Sequence, residues 1–248
     1  MTQTKHALIF AHYHQAGKVR SDTVNALRHF SQFFDRVIFV STKLDEAEIG
    51  KICSLCDIQV RENVGFDFSS YREGIMRLFA DGEPCRVSLF NSSVVMLQPQ
   101  KLMENYFHAY ADRLPTPFFG LTKSEEVFPH LQGFLMTFEP EVWSEGCFID
   151  WWRTLEPALN RIDVVQKYEI GLSIFMQGQD IAFSSAYQFS PRGIQTNPSH
   201  AAGADLLEKY GLVKIELYKK NPSGVDLSFL GPIVETEKWG VLEEGLAN

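Results

Sequence analysis

Short apolar runs alternate with stretches of helical period through the first half of this chain, and that alternation constrains the fold more than any single motif. Residues 7–10 form an apolar strand segment, residues 22–34 carry Val24, Leu27, Phe30, Phe33 and Phe34 on or near one helical face, and residues 37–40 are strand-like again. Asp45 is placed to cap a helix reaching about Ser54, residues 58–60 read as a third strand, and residues 71–80 as a further helix. Asp81-Gly82-Glu83-Pro84 then breaks the pattern ahead of a strand at residues 87–90. Repeated strand–helix units predict an α/β fold, with a mainly parallel, Rossmann-like sheet flanked by helices on both faces.

The second half is less regular. Residues 118–121 and 133–138 read as strands, residues 148–158 and 164–176 as helices, residues 212–218 as a strand, and Asn221-Pro222-Ser223-Gly224 as a turn. No boundary is read before about Pro191, where Pro, Gly, Asn and Ser thicken, so residues 1–190 are expected to form one domain and residues 191–248 a C-terminal elaboration packed on it.

Composition narrows the ligands. The 248 residues, 45% hydrophobic and 22% charged, can bury a sizeable core. A net charge of -8 argues against a surface that tracks nucleic-acid phosphates, but it leaves room for one basic pocket that takes a small phosphorylated ligand. No apolar run approaches the roughly 20 residues that span a bilayer, and the first residues lack a signal-peptide core, so a cytoplasmic location is expected. Cys53-x-x-Cys56 has no second ligand pair at zinc spacing, and burial at a helix end is the plainer reading of it.

The segment Arg61-Glu62-Asn63-Val64-Gly65-Phe66-Asp67-Phe68-Ser69-Ser70-Tyr71 is built like the lip of a ligand site. Gly65 permits a turn or close approach, Asn63 and Asp67 bring polar side chains to it, and Ser70 with Glu73 has the spacing of a capping box. His12-Tyr13-His14 follows the first strand and Asn91-Ser92-Ser93 the fourth. In a parallel sheet these three carboxyl ends share one edge, where open α/β sheets bind ligands. Each alone has a duller explanation, packing for His12 and an ordinary turn for the others; their convergence favours a site.

The residues then carry a resemblance. Ala11-His12-Tyr13 with Gly17 and Val19, Phe39-Val40-Ser41, Arg61 through Phe68, Phe90-Asn91-Ser92-Ser93-Val94, Phe119-Gly120-Leu121-Thr122, His130-Leu131-Gln132-Gly133-Phe134 and Tyr168-Glu169-Ile170-Gly171-Leu172-Ser173 together resemble, in order and spacing, the signature of the rhamnan synthesis protein F family. The resemblance implies a bacterial GT-A-like glycosyltransferase with a donor half at about residues 1–97 and an acceptor half at about residues 98–190. It further implies a nucleotide-sugar donor such as dTDP-rhamnose and a glycan or lipid-linked glycan acceptor in cell-surface polysaccharide assembly.

Within that resemblance Glu169 takes the place of the catalytic base of an inverting transfer, with His130 as second candidate or acceptor ligand. Their plainer readings are a solvated helix charge and a structural histidine. His12, Asn63, Gly65 and Asp67 are placed around the donor's base, ribose or pyrophosphate, and Asn91 and Ser93 near the sugar phosphate. Arg61 and Arg72 suit phosphate, although exposed ion pairs are the commoner fate of such residues. Phe148-Ile149-Asp150-Trp151-Trp152 offers a sugar-stacking platform, or core.

Two positions depart from the family pattern: Ser92 stands where an acidic residue is expected, and His14 where one is common. A hydroxyl is a poor ligand for Mg²⁺ or Mn²⁺, so no cofactor is firmly implied and a metal-independent reaction is expected. The same serine supports an alternative, a catalytically impaired relative that binds nucleotide sugar or glycan. A dinucleotide enzyme is disfavoured because no Gly-x-Gly-x-x-Gly follows the first strand. Residues 214–220 are basic enough to keep peripheral membrane docking open, against the plainer reading of solvated charge.

Overall fold

The computed structural model describes residues 4–82, 85–109, 116–144, 146–188 and 197–231. Strand β1 (His6–His12) is buried along its whole length. Its alternate side chains enter two cores, Ala7, Ile9 and Ala11 on one side and Leu8 and Phe10 on the other. A strand buried on both faces belongs in the middle of a covered parallel sheet. It pairs in parallel with β2 (Arg36–Ser41) and β4 (Arg86–Asn91), and β2 pairs in parallel with β3 (Asp57–Val60). The connecting helices are α1 (Ser21–Phe33), α2 (Glu46–Ile52) and α3 (Phe66–Ala80), so the strand–helix alternation is borne out.

The second half adds β6 (Phe118–Ser124), β7 (His130–Leu131), β8 (Leu135–Phe138) and β9 (Phe183–Tyr187). The order is β3-β2-β1-β4-β8-β6-β7, with β9 beside β6. Strand β8 runs antiparallel to both β4 and β6. That reversal brings the turn before β8 to the same edge as the carboxyl end of β4, where the Asn91 N–H donates to Phe134 O at 3.2 Å.

Several boundaries differ from the sequence reading. Helix α3 begins at Phe66, five residues early, because Gly65 takes a left-handed φ of 76° and serves as its N-cap. Ser70 is therefore a buried mid-helix residue whose hydroxyl accepts from Arg61 Nε at 2.8 Å, and the capping box does not form. The expected helix at residues 148–158 is Gly146–Arg153, and the one at residues 164–176 opens with a wide π-helical turn, Val164–Ile170, before Gly171–Gly178. The strand expected at residues 212–218 is only β10 (Leu212–Lys214) and is followed by a helix, Ile215–Lys220. Pro191, where the sequence thickens in loop formers, lies outside the described residues.

Two arrangements fasten the end of β4. Arg20 and Asp22 form a buried ion pair at 2.9 Å; Arg20 donates to Ser92 O at 3.1 Å and Val94 O at 2.5 Å, and Asp22 accepts from Met96 N at 2.7 Å. Because both charges have further partners, their desolvation is offset and the link between α1 and the turn after β4 is specific. Strand β5 (Val94–Met96) in turn pairs antiparallel with β10, placing Lys214 opposite Val94. Leu206, Tyr210 and Leu212 join the core that contains Phe10 and Phe90.

Gly211 makes that last pairing possible. Its φ is 70°, both Leu97 N and Gln98 N donate to its carbonyl, and an added Cβ would lie 2.2 Å from Gln98 O. Gly211→Ala is expected to lower stability by about 2–4 kcal/mol, from left-handed strain plus a backbone clash. Urea unfolding of the variant and parent chains measures this.

Candidate functional site

The site lies where the carboxyl ends of β1, β3 and β4 meet the turn before β8. Gly65 supplies the close approach at its lip: a Cβ there would fall 2.0 Å from Ser69 Oγ and 3.0 Å from Pro157 Cα. The following residue, Phe66, is also left-handed (φ 56°) and its ring is exposed. Arg61 holds this loop rather than facing a phosphate. Besides Ser70 it donates to the carbonyls of Glu62 at 2.7 Å, Val64 at 2.5 Å and Phe66. Arg72 is similarly engaged with Trp152 O at 3.2 Å and Glu73.

A chain of polar contacts crosses the strand ends. Lys214 Nζ donates to Ser93 Oγ at 2.7 Å, Ser93 Oγ donates to Asn91 Oδ1 at 2.5 Å, and Asn91 Nδ2 donates to Asp67 Oδ2 at 2.6 Å. Each group uses the role its chemistry allows, the ammonium only donating and the carboxylate only accepting. Asn91 also accepts from Ser93 N at 3.0 Å, which sets the turn. Thus Asp67, Asn91 and Ser93, singled out in the sequence, are brought into one network.

Glu169 stands on the π-helical turn with its side chain 18% exposed. The Gly133 N–H donates to it, and a Cβ on Gly133 would come within 2.9 Å of its Oε1. Tyr71 fixes the same turn by donating to Gly133 O at 2.8 Å. Burial, reinforced by the Asp67 carboxylate and opposed by Lys214, pushes the Glu169 carboxyl up to about 7. Burial draws the Lys214 ammonium down, against the pull of Glu169 and Asp67, and it raises Asp67 as well. The three groups interact, so the proton equilibria belong to the set rather than to one residue.

His130 is buried behind Glu169. Its Nδ1 donates to Phe128 O at 2.7 Å, and its Nε2 lies 4.0 Å from Glu169 Oε2, beyond hydrogen-bond reach. Burial lowers its pKa, so the ring is neutral near pH 7. His12 is buried beneath the site with Nδ1 2.9 Å from Ser41 Oγ, and burial with the nearby Arg20 charge takes it down to about 3. Asn63 is exposed on the lip. Phe148 and Trp152 belong to the core, with Trp152 stacked on Phe68 at 6.0 Å, whereas Trp151 is half-buried beside Tyr168.

Sequence reasoning missed Lys214, which it grouped with surface charges. Its ammonium reaches Ser93 and lies 4.4 Å over the Phe134 ring. A signal existed: Lys214 stands two residues after Leu212, hence on the same face of a strand whose other residues are apolar.

Ser92, at the position where the family pattern expects an acid, accepts Tyr13 N–H at 3.1 Å, while its own N–H donates to Ala11 O at 3.0 Å. Its side chain therefore ties β4 to β1. With a hydroxyl so engaged and an ammonium already on Ser93, these residues do not fit a divalent cation held as the family pattern implies. Among the described residues no three of His, Cys, Asp and Glu gather as a metal-holding group.

The fold and site together define an α/β protein with a cluster of charged and polar groups at the carboxyl ends of its parallel strands. The chain belongs to the rhamnan synthesis protein F family, whose model matches residues 37–221. This family and the strand order bear out the GT-A-like, Rossmann-like fold class. The chain is 27% identical over 158 residues, 61% of its length, to the uncharacterized protein y4gN of Sinorhizobium fredii (strain NBRC 101917 / NGR234), and spans 40% of that relative. Among solved structures, the apo-form glycosyltransferase GlyE of Streptococcus pneumoniae TIGR4 is 11% identical, with 97% of this chain and 63% of that one covered at a TM-score of 0.49. A candidate nucleotide-diphospho-sugar transferase from Desulfovibrio desulfuricans G20 is 12% identical, with 97% and 95% covered at a TM-score of 0.47. At such identities and scores the likeness says nothing of chemistry.

A carboxyl whose pKa is higher in the folded chain than in the unfolded one contributes stability that is fully present below the unfolded value and is lost as pH rises through the folded value. For Glu169 that window runs from about 4.5 to about 7. Glu169→Gln, neutral throughout, is expected to gain about 2–3 kcal/mol relative to the parent chain between pH 4.5 and pH 8. Urea unfolding of both proteins at the two pH values checks the sign.

Proposed function

We propose that this chain is a glycosyltransferase unit that moves a sugar, rhamnose or one like it, from a nucleotide-activated donor such as dTDP-rhamnose to a growing cell-surface glycan. The observation that carries this reading is Glu169, a desolvated carboxyl raised toward neutral and set beside the Asp67–Asn91–Ser93 network at the strand ends. A base with a pKa near the working pH is partly ionised and still basic enough to take a proton from a hydroxyl.

In the proposed reaction Glu169 accepts the proton of an acceptor hydroxyl as that oxygen forms a bond to the donor's anomeric carbon. The bond from that carbon to the phosphate oxygen breaks, and its electron pair leaves with the nucleoside diphosphate. One displacement inverts the anomeric configuration. His130, neutral and behind the carboxylate, orients the acceptor side, while Asp67, Asn91 and Ser93 hold donor hydroxyls and phosphate at the end of β4. Gly65 and Asn63 let the lip approach the nucleotide, and His12 supports the floor through Ser41.

On this reading residues 1–97 form the donor half and residues 98–190 the acceptor half of a cytoplasmic domain, elaborated by residues 191–248. No helix among the described residues is long and apolar enough to cross a membrane, and a glycan or lipid-linked glycan acceptor would meet the site at the inner membrane face. A second reading, a relative that binds nucleotide sugar without turnover, is favoured by Ser92 being engaged with Tyr13.

Glu169→Gln is expected to lower turnover by roughly 10²-fold or more while nucleoside diphosphate affinity stays unchanged. Sugar transfer to glycan acceptors and calorimetric binding check the two halves of this statement. Unchanged turnover would move the base to His130 or elsewhere, and binding without turnover by the parent chain on every acceptor would favour the second reading.

A further inference from the structure

The site contains a cation that the sugar-transfer reading leaves without a role. Resting on that reading of the donor site, we propose that the Lys214 ammonium, carried to the end of β4 by β10, is the resident cation that pairs with the diphosphate of the nucleotide-activated donor, in place of a divalent ion.

The position of Lys214 is set by backbone, not by a flexible loop. Its strand pairs with β5 in register, Gly211 O accepts from Leu97 and Gln98 before it, and Ile215 N donates to Ser93 O at 3.0 Å after it. The side chain of this half-buried residue is then held over the Phe134 ring with one N–H on Ser93 Oγ, a cation–π and hydrogen-bonded seat at the strand-end network. Aromatic and hydroxyl partners hold the head without neutralising it.

Charge balance points the same way. Asp67, Glu169 and Glu216 are the acidic groups whose fields act on Lys214. An incoming diphosphate adds further negative charge, so without the lysine these carboxylates would repel it. Of the other basic groups nearby, Arg161 donates to Glu216 at 2.6 Å, and the His200 ring nitrogen lies 3.8 Å from the same carboxylate with its pKa lowered by burial. Among the described residues, Lys214 is thus the cation bonded to the strand-end network itself. In a partly desolvated site a single ammonium acts strongly on phosphate.

Ser92 and Lys214 are two sides of one substitution. The position where an acid would recruit a divalent ion instead links β4 to β1 through its hydroxyl, and the adjacent Ser93 receives a fixed positive charge from a strand more than a hundred residues further along the chain. A fixed ammonium neutralises phosphate without a metal-binding equilibrium, and it tolerates chelators.

Calorimetric titration of the full chain with dTDP and UDP, in EDTA and in MnCl2, tests the proposal. The parent chain is expected to bind one of them equally well in both, Lys214→Met to bind roughly 10- to 100-fold more weakly, and Lys214→Arg to recover part of the loss. Thermal unfolding of the variants verifies that they fold; should Lys214→Met fail to, the chelation arm on the parent chain still decides. Binding that requires Mn²⁺, or a folded Lys214→Met variant that binds as tightly as the parent, overturns the role of Lys214 and leaves the donor reading standing. No binding of either diphosphate by the parent chain under any condition overturns the donor reading itself, and this inference with it.

Discussion

Complete burial of β1 on both faces is the constraint from which the rest of the structure follows. With Ala7, Ile9 and Ala11 packed into one core and Leu8 and Phe10 into the other, the strand needs a layer on each side and a hydrogen-bonded neighbour along each edge. Parallel neighbours meet that need when helices carry the chain back across the sheet. Buried polar side chains within the sheet need partners there, as His6 finds in Ser88, while others gather at the carboxyl ends of the strands. His12, Ser41, Asn91 and the loop after β3 therefore share one edge before any ligand is considered.

That edge becomes chemically distinctive through desolvation. Burial raises the carboxyls of both Asp67 and Glu169, and the Asp67 charge makes the ionisation of Glu169 harder still. Lys214 opposes both shifts, and burial of its ammonium lowers its own pKa. A group of two carboxyls and one ammonium that interact in low dielectric can hold a proton near neutrality, which a lone surface glutamate does not do. The geometry that produces this is backbone geometry: a π-helical turn presents Glu169, Gly133 makes room for it, and β10 delivers the lysine.

Much of the first half was legible because apolar periodicity reports burial directly. The four parallel strands and three connecting helices fall within a few residues of expectation, and the convergence of residues 12, 63–67 and 91–93 follows from parallel pairing alone. The capping box at Ser70 and Glu73 failed for a local reason: Gly65, free to adopt a left-handed φ, starts the helix a turn sooner than the side-chain pattern implies. Arg61 and Arg72 matched phosphate chemistry by residue type, yet the loop carbonyls and the end of the neighbouring helix engage them first. The helix at residues 215–220 follows a strand in a short alternating run, and such a run does not distinguish helix from strand.

The amino-acid sequence by itself determined the α/β class, the strand-end edge on which the candidate site lies and the family to which the chain is similar, and it singled out Asp67 and Glu169 as candidate acidic residues, since each rests on local periodicity or on short ordered motifs. Only the tertiary structure decided the antiparallel insertion of β8, the hydrogen-bonded network from Lys214 to Asp67, and the buried Arg20–Asp22 pair that fastens the end of β4. These are contacts between residues tens to more than a hundred positions apart. No local pattern encodes them, because a side chain's desolvation and partners depend on which distant strand packs beside it.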